Sequence, residues 1–186
     1  SDRGRLASLT TPAGTFSYRY NALEQRTFKS GPSSVIPTGQ AYFVYDEVGR
    51  LLGEYDANQN PIYETFYLDD LPVALIKQSG SAGSGNVQAT PYNVYADHLA
   101  TPRVVTRASD ETPVWRWDSA EAFGASAPDD NPSSLGAFTF NQRLPGQVFD
   151  AETGLFDNWH RTYGPRQGRY TQFDPMGLTG GTNGYL

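Results

Sequence analysis

The sequence predicts an all-β fold built from many short strands. Turn signals from its 19 glycines and 13 prolines recur about every eight to twelve residues, a spacing that suits strands and leaves little room for helices. Aromatic residues make up 13% of the chain and 12 of them are tyrosines, which fit the half-buried surface of a sheet. No segment keeps a helical period for more than about two turns.

The first predicted strands lie at residues 5–11 and 15–21, on either side of a Pro-Ala-Gly turn. In the second strand Phe16, Tyr18 and Tyr20 alternate with polar residues, and a period of two is the strand signature. Pairing of these two strands gives a hairpin.

A tyrosine followed by an acid or an amide opens three predicted turns, at Tyr20-Asn21, Tyr45-Asp46 and Tyr55-Asp56. The second turn ends on Gly49, where a left-handed residue closes a hairpin loop. A recurring hairpin cannot bury its apolar face alone, so the recurrence indicates stacking on neighbours. Ordinary hairpins with Asx-type turns explain the local residues equally well.

The middle of the chain adds further strands and two loops. Trp115 and Trp117 are predicted to lie on one face of a strand and to anchor the core, since each buries more than about 150 Å² in a typical protein. The predicted strands lie at residues 61–68, 72–76 and 137–140, with two or three more within 92–117, and the predicted loops lie at 79–85 (flexible, rich in Gly and Ser) and 121–136.

Charge and composition exclude several kinds of partner. The net charge of −6 opposes attraction to phosphates, so no nucleic-acid partner is expected. Without cysteine the chain forms neither disulfides nor thiolate metal sites. No signal peptide is recognisable in the first thirty or so residues and no run of about eighteen apolar residues occurs, so no membrane span is predicted. The chain opens without an initiator methionine, and we expect a fragment of a longer protein.

The two histidines raise a metal or hydrolase hypothesis, through Asp97-His98 and through Asp157 with His160. A metal needs three or four converging ligands, and no H-x-x-x-H or H-x-H pattern occurs. A lone histidine in a turn is more often structural. No metal and no cofactor is therefore predicted.

Residues 141–178 combine turn signals, aromatic residues and one candidate reactive carboxylate. Their ordered elements PGQ, D-x-ETGL, R-x-Y-x-P-x-x-GRY and DP-x-GL resemble the signature of the Rhs-repeat-associated core domain of bacterial Rhs and YD-repeat polymorphic toxins, which are related to the C subunits of Tc toxins. Residues 45–51 similarly resemble the YD repeat, Y-D-x-x-G-R-L. The resemblance covers roughly residues 42–185, with weaker repeats before it.

This resemblance implies a fold in which YD-repeat β-hairpins form part of a spiralling β-sheet shell with an inward-curled C-terminal plug. Residues 1–76 are then YD-repeat-like hairpins, 77–136 are strands with flexible loops, and 137–186 are the core signature segment of one continuous domain. The implied function is encapsulation and delivery of a toxic C-terminal cargo in competition between bacteria, after secretion or export to the cell surface. The implied partners are the rest of the shell and the cargo, with a secretion system or further copies as other candidates.

The resemblance also implies an aspartic-type self-protease, in which two carboxylates share a proton and activate water. Asp174 matches the first carboxylate and Arg169 its basic neighbour, whereas the second DP-x-GL is missing, so this fragment is expected to be inactive. From the residues themselves, Asp174 before a proline equally predicts a simple turn. Arg169 is expected to form a salt bridge to Asp174 or Asp157.

Other readings of the sequence stay open. Ala100 stands where the Rhs pattern commonly has glycine, so its turn must avoid positive φ or accept strain. A glycan-binding module would stack sugar rings on Trp115 or Trp159, and unpaired edge strands would let copies assemble side by side.

Overall fold

The computed structural model describes residues 4–79, 87–118 and 121–186, and they form two antiparallel sheets. The larger is an open, ten-stranded sheet in which every strand pairs with its neighbours in sequence, and the smaller has four strands in the same kind of order. The predicted all-β class is confirmed. Within the described residues, regular helix is confined to two short 3₁₀ turns, at Pro37–Gly39 and Gly177–Gly180, and no helix there is long and apolar enough to cross a membrane.

Most strands of the two sheets lie between the predicted turns, but the strand at Arg26–Ser30 was not predicted. The strand predicted at residues 137–140 is wrong, because this segment has no ladder partner among the described residues, and residues 80–85 of the predicted flexible loop lie outside them. The larger sheet consists of β1 (Ser8–Thr11), β2 (Gly14–Tyr20), β3 (Arg26–Ser30), β4 (Gln40–Tyr45), β5 (Leu51–Asp56), β6 (Pro61–Leu68), β7 (Leu71–Ser79), β8 (Gln88–Ala96), β9 (Pro102–Arg107) and β10 (Pro113–Arg116), and the smaller of β11 (Val148–Asp150), β12 (Leu155–Asn158), β13 (Arg161–Gly164) and β14 (Arg169–Tyr170).

Four hairpin turns share one hydrogen-bonding geometry. In each, the side-chain Oδ1 of the first residue accepts hydrogen bonds from the backbone N–H groups two and four residues further on, over 2.8–3.1 Å. The backbone carbonyl of that residue accepts from the N–H three residues on. The first residues of these four turns are Asn21, Asp46, Asp56 and Asp97. The fourth turn escaped the predicted series because Ala96 stands where the others have tyrosine.

The fourth residue of each turn has a left-handed backbone, which glycine alone adopts without strain. Gly49 fills this position with φ 91°, as predicted, but Glu24, Gln59 and Ala100 fill it with φ of 65°, 64° and 61°. Of the two alternatives predicted for the turn at Ala100, avoiding a positive φ or accepting strain, the structure therefore shows the second.

One face of the larger sheet is covered by the C-terminal part of the chain. Directly paired residues point to the same side of a sheet, and this covered face carries Tyr18, Lys29, Ala41, Phe43, Glu54, Tyr63, Thr65 and Leu75. Apolar members of the face belong to two buried clusters, one around Tyr63 and Trp115 and one around Phe16 and Phe43.

Residues 138–148 lie along the covered face and join it through both apolar and polar contacts. Phe140 packs edge-on against Tyr63 and Trp115, with ring centroids 5.2 and 5.3 Å apart. Gln142 Nε2 donates a hydrogen bond to Thr65 Oγ1 over 3.0 Å. The core is thus formed between the larger sheet and the C-terminal segment. Trp115 and Trp117 are both buried, as predicted.

We predict that Ala100→Gly raises the free energy of unfolding by about 1 kcal/mol, because glycine removes the left-handed strain. The matched control is Ala57→Gly, in the second position of the turn at residues 56–60, where φ is not positive. There added chain freedom lowers stability by up to about 1 kcal/mol. Urea unfolding measures both variants, and a loss of stability for Ala100→Gly would contradict the prediction.

Candidate functional site

Six buried charges join the smaller sheet to the covered face, and we call this cluster the ionic contact. Arg26 and Lys29 on β3 both bind the carboxylate of Asp150, with 3.0 Å between Lys29 Nζ and Asp150 Oδ1. Lys29 Nζ also lies 3.4 Å from Glu152 Oε2. The remaining pair is Arg5 with Asp157, 2.9 Å apart from Nη2 to Oδ1. Three cations thus balance three carboxylates.

The three carboxylates share one side of a tight hairpin. Val148 pairs directly with Asp157, and Asp150 lies two residues beyond Val148 on the same strand, so these side chains share a face. The turn closes because Asp150 O accepts a hydrogen bond from Gly154 N–H over 2.8 Å, and it places Glu152 beside the same cations. Alternation along β11 and β12 therefore presents the acids to the larger sheet.

Aromatic side chains surround the cations. The Arg26 guanidinium lies 4.6 Å from the ring centroid of Phe43, and that of Arg5 lies 4.4 Å from the ring of Tyr20. Tyr18 Oη donates a hydrogen bond to Glu152 Oε1 over 2.8 Å. Rings exclude water here, and the low dielectric strengthens each pair while making any unpaired charge expensive.

Opposing influences set the pKa values in the ionic contact. Burial raises the pKa of Asp150, but the charges of Arg26 and Lys29 outweigh it and hold this pKa below the ordinary 3.8. Burial also raises the pKa of Asp157. The charges of Arg26 and Arg5 lower it by less, so the net pKa of Asp157 is raised. Burial lowers the pKa of Lys29, yet Asp150 outweighs it, so the net pKa is raised. The charges centred on Asp150 hold each other ionised.

Asp174 begins a turn with the same first hydrogen bonds as the four hairpin turns. Its Oδ1 accepts from Met176 N–H over 2.8 Å and its carbonyl accepts from Gly177 N–H over 2.9 Å, with Gly177 at φ 62°. The turn predicted for Asp174 is confirmed, and its catalytic role stays a prediction. Arg161 Nη1 lies 3.2 Å from Asp174 Oδ2 and 3.3 Å from the carbonyl oxygen of Leu186.

The salt bridge predicted for Arg169 is wrong. Among the described residues, the guanidinium on Asp174 is that of Arg161, and the one on Asp157 is that of Arg5. Arg169 lies on the short strand β14, where it pairs with Gly164 and is exposed. The error arises because Arg161 and Arg169 lie on adjacent strands, and the sequence alone does not show which of them faces the turn at Asp174.

The histidines and tryptophans are placed as follows. His160 Nδ1 lies 3.0 Å from Glu24 Oε2, and the described part of the chain contains no group of three or more His, Cys, Asp or Glu side chains able to hold a metal. Trp115 is 1% exposed, which removes it as a sugar-stacking platform, whereas Trp159 is 40% exposed. Trp159 packs on Gly49, where a Cβ atom would lie 1.8 Å from Trp159 Cζ2.

Sequence reasoning missed the ionic contact as a site. Strand β3 escaped prediction altogether, because its inward positions carry Arg26 and Lys29 while Phe28 faces the other side against Tyr42. This inverts the usual apolar-in pattern. Spaced acids in the motif D-x-E, at Asp150 and Glu152, were the available signal, and they suggested only a resemblance.

The fold and the ionic contact together define a β-sheet scaffold whose C-terminal sheet is fixed to one face by buried charges. No protein-family model matches the chain. The toxin protein Tse5 of Pseudomonas aeruginosa is 39% identical over 92 residues, which are 49% of this chain and 6% of Tse5. Double-stranded DNA deaminase toxin A of Burkholderia cenocepacia is 29% identical over 151 residues, covering 80% of this chain and 9% of that toxin.

The chain is therefore similar to a small part of each of two bacterial toxin proteins. A solved structure of the Photorhabdus luminescens Tc holotoxin pore also aligns with 91% of the chain and 9% of the matched chain, at 16% identity and a TM-score of 0.46.

We predict that Asp150→Asn lowers the free energy of unfolding at pH 7 by about 3–5 kcal/mol, because it leaves Arg26 and Lys29 buried without their shared carboxylate. The folded-state pKa of Asp150 is depressed, so its contribution is present above 3.8 and is lost as pH falls through the folded value. The difference between the two proteins should therefore shrink on acidification below that pH.

Urea unfolding at several pH values checks this, with Asp118→Asn as the control. Asp118 makes an exposed pair with Arg116, 2.9 Å apart, so its loss should change stability by less than about 1 kcal/mol. Equal effects of the two substitutions at pH 7 would show that the ionic contact contributes no more than a surface pair.

Proposed function

We propose that this chain is a shell segment of an Rhs-type polymorphic toxin, which encloses a toxic C-terminal polypeptide and delivers it in competition between bacteria. The observation that carries the proposal is the attachment of the C-terminal sheet to the covered face through the ionic contact. The similarity to parts of two proteins named as toxins supports the association with a toxin. Export to the surface or the medium is part of the same proposal.

In this proposal the larger sheet is a piece of the shell wall. Its strands follow one another in sequence order, so a longer chain of the same kind extends the wall by adding hairpins at the edges, β1 and β10. Residues 1–76 and 77–136 belong to the wall, and residues 137–186 form the plug that lies on the inside. Continued pairing satisfies the backbone groups that an open edge leaves free.

A plug held by charges suits this role, since a buried carboxylate tolerates only the position that meets its cations. An apolar contact of the same area could slide by one strand residue with little loss, whereas a displaced Asp150 would leave its own charge and that of Arg26 unpaired. The ionic contact therefore fixes the plug in one register on the wall. A fixed plug keeps the cargo inside until delivery.

The test uses the full-length parent protein and limited proteolysis. We expect the polypeptide that follows residue 186 in the parent to resist a protease that degrades it within minutes when it is expressed alone. Asp150→Asn should speed its degradation at least about tenfold by loosening the plug, and Asp118→Asn should not. Degradation in the wild-type parent as fast as in the isolated polypeptide would overturn the proposal.

Self-cleavage is a second candidate function, with Asp174 as one of two carboxylates and Arg169 as the basic neighbour that the resemblance implies. One observation favours it: the Arg161 guanidinium contacts both Asp174 and the Leu186 carbonyl, so the carboxylate lies close to the backbone of the last residues. The other carboxylate would come from further chain of the parent.

For this candidate we predict that mass spectrometry of the parent finds a cut beyond residue 186, and that Asp174→Asn abolishes it. Asparagine keeps the Oδ1 acceptor for Met176 N–H, so the turn survives while the acid is lost. Asp129→Asn is the control, because Asp129 accepts a similar bond from Asn131 N–H and lies in the long loop. An intact mass in the wild-type parent, or an undiminished cut in Asp174→Asn, would remove this candidate.

A further inference from the structure

A pocket of about 430 Å³ lies where the C-terminal segment crosses one end of the larger sheet. The hairpin turns at residues 46–50 and 97–101 form one side of it, and residues 142–148 and Trp159 form the other. Most of its wall is apolar or aromatic, as in sites for small ligands, and the volume falls in the range of such sites. The pocket shares Asp157 with the ionic contact, and the other five charged residues of the ionic contact do not line it.

Arg143 is the unusual member of this wall. Its side chain is buried, and its Nη1 donates hydrogen bonds to the carbonyl oxygens of Phe140 and Gln142, each over 2.8 Å. The guanidinium also lies 4.9 Å from the ring of Phe149. Within the part of the chain that the structure describes, no carboxylate pairs with Arg143. Burial accordingly lowers the pKa of Arg143 to about 10, well above neutral pH.

The other charged side chains of the pocket wall already have partners. Arg50 Nε lies 2.6 Å from Asp46 Oδ2, its Nη1 lies 3.8 Å from Asp70, and Asp157 is held by Arg5. Among the charged residues that line the pocket, Arg143 is therefore the one left without a charged partner within the described residues. A further polar atom, Gln147 Oε1, is buried there without a hydrogen-bond partner among the described residues, and it would accept a bond from an N–H or O–H donor.

We propose that this pocket binds a small organic acid, whose carboxylate pairs with Arg143 and whose apolar body lies against the aromatic and aliphatic wall. A guanidinium and a carboxylate form a strong, charge-assisted pair where water is scarce. The apolar wall contributes by removing the body of the ligand from water. This binding site is independent of the proposed shell function and holds whether or not a cargo is enclosed.

The experiment is isothermal titration calorimetry on the whole chain with indole-3-acetate and, as the neutral probe, indole-3-acetamide. Both present an indole N–H to Gln147, and only the first presents a carboxylate to Arg143. We expect the acid to bind at least about tenfold more tightly than the amide. Equal affinities, or no binding of either probe at about ten millimolar, would overturn the proposal.

Two leucines provide matched variants. Leu99 and Leu23 occupy the third position of equivalent turns, where each N–H is bonded to the side chain of the first residue, and both are largely exposed. Leu99 lies on the pocket wall and Leu23 does not. Leu99→Asp should weaken binding of the acid at least about tenfold by charge repulsion, while Leu23→Asp should leave it unchanged. An equal affinity in both variants would contradict the proposal.

Arg143→Met should abolish the preference for the acid over the amide. If this buried substitution prevents folding, the two leucine variants still test the proposal. A last arm distinguishes the source of the carboxylate. A short peptide ending in a free tryptophan carboxylate is compared with its amidated form. Binding of the free peptide without binding of indole-3-acetate would overturn the proposal of a small organic acid and would indicate the C-terminal carboxylate of a polypeptide as the ligand.

Discussion

The rest of the structure depends on the ionic contact, because it joins the smaller sheet to the strand of the larger sheet that carries Arg26 and Lys29. Removing such charges from water is costly, and mutual attraction repays that only when every member is in place. The contact is therefore a poor source of net stability compared with apolar packing and a good source of geometric definition. Apolar contacts around Phe140 and Tyr63 add the hydrophobic part.

Placing charges on the covered face has a consequence for the opposite face. Along β3 the long polar side chains turn inward, so Phe28 turns outward, where it meets Tyr42 with ring centroids 5.2 Å apart. The strand is stable because the carboxylates of the smaller sheet complete its inner side. Without Asp150 the same strand would bury Arg26 without its paired carboxylate and would leave Lys29 with Glu152 alone.

The sequence carried the hairpins and the turns, since their determinants are local. A tyrosine, an acid and a left-handed residue three positions later lie within five residues, and glycines and prolines mark where strands stop. The ionic contact could not be predicted from the sequence, because Arg26 and Asp150 are 124 positions apart and the sequence of neither strand shows which residues face it. The strand predicted at residues 137–140 is wrong for a related reason: Phe138 and Phe140 alternate as in a strand, yet they pack on a sheet face and have no ladder partner among the described residues.

Asp174 shows the same division between local and distant information. Its turn follows from an aspartate before proline and a glycine three positions on, and all three lie within four consecutive residues. Its partner Arg161 comes from a neighbouring strand, and the choice between Arg161 and Arg169 depends on the pairing of β13 with β14. Local chemistry thus fixes the shape of the segment, while sheet pairing decides which charge meets the carboxylate.

The self-bonded turns set the places where this protein can vary. The first residue of each turn accepts hydrogen bonds from the backbone N–H groups of the third, fourth and fifth residues, so the backbone does not depend on the third side chain, which is exposed at Leu23 and Leu99. Substitutions at these tips leave the alignment of the strands intact. Related chains can therefore change the chemistry at the rim of the sheet, one hairpin at a time, on a framework that stays the same.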